Sequence, residues 1–394
     1  MKRVDVIIVG GGPAGLSTGL HLLQREAGWA KRVLLLEKAR YPRHKLCGGG
    51  ITWYGEAVLK GLGLTVDEVP GVALNEMELV LGGSRVSFHG SPVGRVVRRD
   101  EFDAWLASKA IERGLEVHTG EPVTGVTAHE GGVTVETPEG RYEARALVAA
   151  DGSHGGVRRK LGVEDKARLA RLLEILTPVE DEDSRRLHAE RRAVFDFEHT
   201  GNGLQGYYWD FPCVVNGEPC INRGIFDARI VQDEPLVDLK RLLRRSLAAR
   251  GLNVDRCELM GHPIRCFDRN AVLSVPRVLF AGDAAGADPL MGEGISFALA
   301  YGGLAADTLR DAFARDDFRF ADYRERLLTA PFGQSLLLRS VWAGLLYKIR
   351  SVPGGKLILR ATKLGVSLLP SLAPYRAGWE GPVSAGGWGF WRRA

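Results

Sequence analysis

The stretch Val4-Asp5-Val6-Ile7-Ile8-Val9-Gly10-Gly11-Gly12-Pro13-Ala14-Gly15-Leu16 decides the fold. Residues 4–9 form a short apolar run that predicts a buried strand, and residues 16–23 carry leucines at helical spacing. The glycines between them therefore make a tight strand-to-helix turn. Gly10, Gly12 and Gly15 fit G-x-G-x-x-G in that context, and Glu37 ends a second apolar run, residues 33–36, 22 positions beyond Gly15. Such glycines let backbone N–H groups and the positive helix end approach a pyrophosphate, while an acid ending the second strand accepts from ribose hydroxyls. Gly10, Gly12, Pro13, Ala14, Gly15, Glu37 and the adjoining Lys38 are expected to hold an adenine dinucleotide.

A second signature chooses among dinucleotides. Residues 278–281 read as another buried strand and run into Gly282-Asp283-Ala284-Ala285-Gly286, 267 positions after Gly15. FAD is long enough to meet both places, with Asp283 on its ribityl chain. This arrangement resembles the glutathione-reductase-type FAD fold of the para-hydroxybenzoate hydroxylase-like superfamily. Arg99-Asp100-Glu101-Phe102-Asp103 resembles that superfamily's Arg-x-x-Phe-Asp helix start, which implies Arg99 near the cofactor. Asp151-Gly152, followed by Val157-Arg158-Arg159, resembles its Asp-Gly motif behind the riboflavin.

Three further segments resemble the geranylgeranyl reductase family, flavoenzymes that saturate isoprenoid double bonds. Tyr41-Pro42-Arg43-His44-Lys45-Leu46-Cys47-Gly48-Gly49 is similar to its Pro-x-x-Lys-x-Cys-Gly-Gly loop. Gly206-Tyr207-Tyr208-Trp209-Asp210-Phe211-Pro212 is similar to its Tyr-x-Trp-x-Phe-Pro segment, with Cys213 departing from the Lys many members carry next. Pro289-Leu290-Met291-Gly292-Glu293-Gly294-Ile295 is similar to its flavin-side loop. The resemblance implies that Lys45, Cys47, Gly48, Gly49, Arg99, Asp151, Gly282, Asp283, Pro289, Gly292, Gly294 and Ile295 contact FAD. It also implies reduction of C=C bonds in a prenyl lipid or similar apolar polyene.

The residues themselves are compatible with that chemistry. A helix starting near Gly294 directs free N–H groups at a reduced flavin's negative edge. Tyr207, Tyr208, Trp209 and Phe211 alternate across a strand, so some face a ligand while others pack. Arg43, His44 and Lys45 surround Cys47 with positive charge. Cys47, Tyr207, Tyr208 and Trp209 are the catalytic candidates, the first three as proton donors. NAD(P)H docking transiently, or a ferredoxin, is the expected electron donor. The competing reading is a flavin monooxygenase or halogenase on the same fold. The segment Gly292-Glu293-Gly294-Ile295 lacks the hydroxylases' Gly-Gly-x-Gly-x-Asn form. A non-catalytic FAD-binding partner would be marked by loss of Asp283 or the glycine turn, and both are retained.

Composition sets the frame. The 394 residues carry a net charge of +5, 45% apolar residues and five cysteines without a C-x-x-C pair. That suits a globular protein of a reducing compartment and argues against a disulfide framework or zinc site. The histidines fall at no metal-ligand spacing, so no metal is expected. Met1-Lys2-Arg3 leads straight into the first strand, without a secretory pattern. A cytoplasmic location is expected, peripheral on the inner membrane face if the tail binds lipid. Residues 331–394 hold nine Lys/Arg and one acid, with an apolar run over 364–375. Such a tail reads either as a surface for anionic lipid or as a solvated helix face, and nucleic acid is not expected.

The expected architecture is α/β and α+β: a Rossmann FAD-binding domain interleaved with a β-sheet substrate domain, plus a helical C-terminal segment. The FAD-binding domain is assigned to residues 1–75, 95–165 and 266–330. The substrate domain takes 76–94 and 166–265, and the basic helical segment takes 331–394.

Overall fold

The computed structural model describes residues 2–164, 167–252 and 259–348. Its first sheet grows from the opening strand. Strands β1 (Lys2–Val9), β2 (Val33–Glu37), β6 (Glu116–Thr119), β9 (Gly140–Ala149) and β16 (Val278–Phe280) lie parallel in the order β6-β2-β1-β9-β16. Val6, Ile7 and Ile8 are wholly buried, as are Leu34 and Leu35 beside them. Near-continuous apolar runs are what a parallel sheet covered on both faces requires. Antiparallel β7 (Gly125–His129), β8 (Gly132–Thr137) and β15 (Ser274–Val275) extend it. Helices α1 (Pro13–Arg25), α3 (Arg99–Glu112) and α7 (Ile295–Arg315) cover it, with α1 and α7 packed together through Gly302, where a Cβ would lie 2.5 Å from Ser17.

The second sheet runs β14-β10-β13-β12-β11-β4-β5-β3. Its strands are β3 (Gly50–Thr52), β4 (Gly71–Leu81), β5 (Ser84–Val97), β10 (Leu169–Pro178), β11 (Arg192–Asp196), β12 (Gly206–Val215), β13 (Glu218–Asp227) and β14 (Met260–Arg265). The pairs are antiparallel except β11 with β4. On its outer face α6 (Leu239–Ala248) seats Leu239, Leu242, Leu243 and Leu247 against Ile175, Tyr208 and Ile225. Its inner face looks toward the first sheet.

Sheet membership moves two expected boundaries. The division at residue 75 falls inside β4, and residues 95–97 continue β5, so both strands belong wholly to the second sheet. The half-buried alternation of β4 and β5 marks strands but does not say which sheet they join. Short helices α2 (Trp53–Gly61), α4 (Gly156–Lys160) and α5 (Glu182–Glu190) fill connections. Helices α8 (Tyr323–Thr329) and α9 (Pro331–Lys348) end the described chain. The rest of the basic segment, including 364–375, lies outside the described residues, as does Cys257. Among the described residues, no helix is long and apolar enough to cross a membrane.

Candidate active site

A single cavity of about 1130 Å³ runs between the two sheets. One arm is lined by Gly10, Gly12, Pro13 and Ala14 at the start of α1, by Glu37 and Lys38 after β2, and by Arg43 and Arg99. The glycines have distinct duties. Gly10 has φ +107°, and a Cβ there would meet the Ala150 carbonyl oxygen at 2.3 Å. Gly15 does not line the cavity; a Cβ on it would sit 2.0 Å from the Gly10 carbonyl oxygen, so it permits the helix to start hard against the strand. Gly12 is open, its nearest neighbours being the Nη2 atoms of Arg43 and Arg99 at 3.8 Å. It also heads α1 with no side-chain cap, which leaves the helix N–H groups available.

Charge is concentrated around that opening. Arg99 donates through Nε and Nη2 to the two carboxylate oxygens of Asp103 at 2.8 and 2.7 Å, and Arg43 Nη2 approaches the same carboxylate at 3.0 Å. Glu37 accepts from Gly11 N at 2.7 Å and Ala39 N at 2.9 Å, fixing the carboxylate at the end of β2.

The middle of the cavity is lined by Lys45, Cys47, Gly48, Gly49, Asp151, Asp283, Gly292, Gly294 and Ile295. Gly49 has φ +78° and passes so close to β5 that a Cβ would lie 2.0 Å from the Val97 oxygen. This pins the loop carrying Cys47, whose half-buried Sγ accepts from Gly49 N at 3.4 Å. Lys45 Nζ donates to His262 Nε2 at 2.7 Å, while His262 Nδ1 faces the Pro263 carbonyl, which assigns the proton to Nδ1. Burial pulls Lys45 down to about 8, against the charge of Asp283. Burial and the Lys45 charge bring His262 to about 4, so the ring is a neutral acceptor. Gly282 and Pro289 do not line the cavity. Gly282, at φ +61°, lets the second motif pack on the first, since a Cβ would lie 2.7 Å from that of Ala14. The loop near Pro289 is shaped by buried Asp288, which accepts from Leu290 N, Met291 N and Arg339 Nη1 at 2.8, 3.1 and 2.6 Å.

The far arm is aromatic. Tyr207, Trp209 and Phe211 of β12 line it with Phe195, Phe197 and Phe226, and Trp342 and Leu346 of α9 close it. Tyr208 is a correction: strand alternation turns it to the opposite face, where it is fully buried against α6. There its hydroxyl donates to Asp210 at 2.6 Å and Arg250 lies over its ring. It cannot reach the cavity. The Tyr207 hydroxyl donates to the Met291 carbonyl, and the Trp209 indole donates to Asn222 Oδ1 at 2.8 Å.

These features define a dinucleotide-dependent redox protein. The FAD binding domain family matches residues 3–300, and the chain belongs to it, among the FAD-dependent oxidoreductases of the geranylgeranyl reductase kind. The chain is 30% identical over 349 residues to menaquinone reductase of Mycolicibacterium smegmatis, spanning 80% of this chain and 78% of that protein. It is 26% identical over 348 residues to digeranylgeranylglycerophospholipid reductase of Thermoplasma volcanium, spanning 81% of each. Among solved structures, a geranylgeranyl bacteriochlorophyll reductase-like protein from Thermoplasma acidophilum shares the fold with TM-score 0.75, 23% identity and 91% of each chain covered. A point mutant of the halogenase PltM in complex with FAD shares it with TM-score 0.71 at 17% identity, over 94% of this chain and 81% of that one.

The residues present fit FAD. Gly12 opens onto two guanidinium groups, Arg43 Nε and Asp151 Oδ1 are buried without a hydrogen-bond partner among the described residues, and the uncapped start of α7 borders the cavity at Gly294. Asp283, which among the described residues accepts only a long 3.3 Å bond from Ser153, keeps acceptor capacity for a ribityl hydroxyl. Asp283→Ala is expected to weaken FAD retention by about 2 kcal/mol with the fold intact. Flavin content after dialysis, beside an unchanged circular dichroism spectrum, checks it; full flavin retention would refute the assignment.

Reading the sequence did not single out His154, His262, Asn222 or Glu174, nor Arg43 and Asp103 as site residues. Asp103 stood inside the Arg-x-x-Phe-Asp segment and could have been found there. Glu174, Asn222 and His262 are ordinary polar residues on three strands that only strand pairing brings together, whereas Arg43 and His154 come from loops.

Proposed function

We propose that the protein saturates C=C bonds of a prenyl lipid or another apolar polyene. One observation carries the reading: the aromatic arm opens, within one cavity, onto Cys47 and the 290–295 loop. The names of the relatives, a menaquinone reductase and a digeranylgeranylglycerophospholipid reductase, support it. FAD, reduced when bound, supplies the hydride. Cys47 Sγ supplies the proton to the other alkene carbon. Phe195, Phe197, Trp209 and Phe211 hold the chain and exclude water, and the N–H groups at the start of α7 offset negative charge beside Gly294 and Ile295.

Lys38, His44, Arg159 and Lys160 are exposed on the cavity rim, which suits an anionic donor such as NAD(P)H or an acidic ferredoxin. An anaerobic assay separates the two functional readings. Chemically reduced holoprotein should convert geranylgeraniol to a product heavier by two hydrogens. Product formed only with oxygen, and heavier by an oxygen atom, would move the protein to the monooxygenases.

An apolar substrate must enter from somewhere apolar. Helix α9 lines the cavity with Leu338, Trp342 and Leu346, yet leaves Leu338, Val341 and Leu345 at 38%, 68% and 43% exposure. This face, on the last described helix before the basic residues of the tail sequence, is proposed to rest on an anionic membrane surface. The double variant Val341→Asp with Leu345→Asp should reduce sedimentation with phosphatidylglycerol vesicles by about tenfold. Equal sedimentation of variant and wild type would refute it.

A further inference from the structure

Behind the Cys47 loop lies a buried polar network that the proposed chemistry does not use. Asn222, on β13, has every polar group engaged: Oδ1 accepts from Trp209 Nε1 at 2.8 Å, and Nδ2 donates to the Cys47 carbonyl at 3.2 Å and to Glu174 Oε1 at 3.0 Å. These three partners fix the orientation of the amide, because reversing it would set oxygen against oxygen twice. Glu174, on β10, is completely buried. Its Oε1 lies 3.8 Å from Arg98 Nη1, and its Oε2 has no hydrogen-bond partner among the described residues.

We propose that Glu174 and Asn222 form a clamp that positions the Cys47 loop against Trp209, and that the charge on Glu174 sets how firmly it holds. Glu174 is thereby a positioning residue. The inference rests on the assignment of Cys47 as proton donor and extends it. An ionised Glu174 makes a charge-assisted bond to Asn222, stiffening the link to the Cys47 carbonyl; a protonated one does not. The charged and titratable groups facing Glu174 are Arg98 from the segment before α3, Lys45 and Cys47 from the loop, and Cys213 from β12. Burial raises the Glu174 carboxyl to about 7, against the Arg98 charge, the Asn222 amide, the Cys47 backbone N–H and the Lys45 charge. The clamp is thus loose below neutrality and tight above it.

The test follows Cys47 directly. Holoprotein is alkylated with iodoacetamide from about pH 5.5 to 9, and the Cys47 peptide is quantified by mass spectrometry against a reference thiol peptide of known ionisation. In the wild type, the rate corrected for thiol ionisation should fall about fivefold as pH rises through neutrality. In Glu174→Gln it should stay at the fast, low-pH value throughout. Asn222→Ser, which cuts the link without altering charge, should also be fast at every pH and carries the test alone if Glu174→Gln does not fold. Coincident profiles for wild type and variants would overturn the clamp. The outcome is independent of the reductase reading: loss of the step in preparations that never reduce geranylgeraniol would uphold the clamp and refute the function, whereas turnover with coincident profiles would do the reverse.

Discussion

Cys47→Ala is expected to slow anaerobic alkene reduction by about 100-fold while FAD stays bound. Elimination among the candidate donors leads to it. Tyr208 lies on the far face of the second sheet. The Tyr207 proton points at the Met291 carbonyl, and burial together with the Asp288 charge pushes that phenol well above its ordinary range, so it holds its proton. The Trp209 N–H is committed to Asn222. Cys47 Sγ, by contrast, lines the cavity, accepts from Gly49 N and donates to no group among the described residues. Cys47→Ser should be slow as well, because a hydroxyl is a far weaker acid than a thiol. Stopped-flow oxidation of the reduced flavin by geranylgeraniol measures the step. Wild-type rates in both variants would remove Cys47 from the mechanism.

Asp103→Ala is expected to cost about 3–5 kcal/mol of stability and most of the bound FAD. Asp103 is completely buried and faces two arginines, Arg99 through paired hydrogen bonds and Arg43 at 3.0 Å. Its removal leaves two guanidinium groups in a poorly solvated position with their principal counter-ion gone. A bound pyrophosphate would replace part of that charge, so excess FAD should recover part of the loss. Urea unfolding with and without added FAD checks both statements. A variant with wild-type midpoint and flavin content would show that the arginines are held by something else.

Elements with continuous apolar runs or a glycine turn were legible in the sequence. The run at residues 4–9 lies within β1, the glycine turn heads α1, and residues 278–280 form β16. Buried parallel strands write themselves in β-branched residues, and the turn admits little but glycine. What was not legible depends on partners distant in the chain. Whether β4 joins the first or second sheet is decided by its pairing with β11, more than a hundred residues on. Glu174, Asn222 and His262 come together because β10 pairs with both β13 and β14. The side of β12 that faces the cavity follows from register, which is why Tyr208 and Trp209 could not be told apart beforehand.

The order of strands in the first sheet also has a consequence for synthesis. β16 takes its place beside β9 only after the long excursion that builds most of the second sheet, and Asp283 follows directly behind it. A nascent chain on the ribosome therefore has the glycine turn from its first residues, yet lacks the opposite grip on the cofactor until three-quarters of it has emerged. Products of premature termination before that point should be colourless, and the yellow of bound flavin reports that translation has passed it.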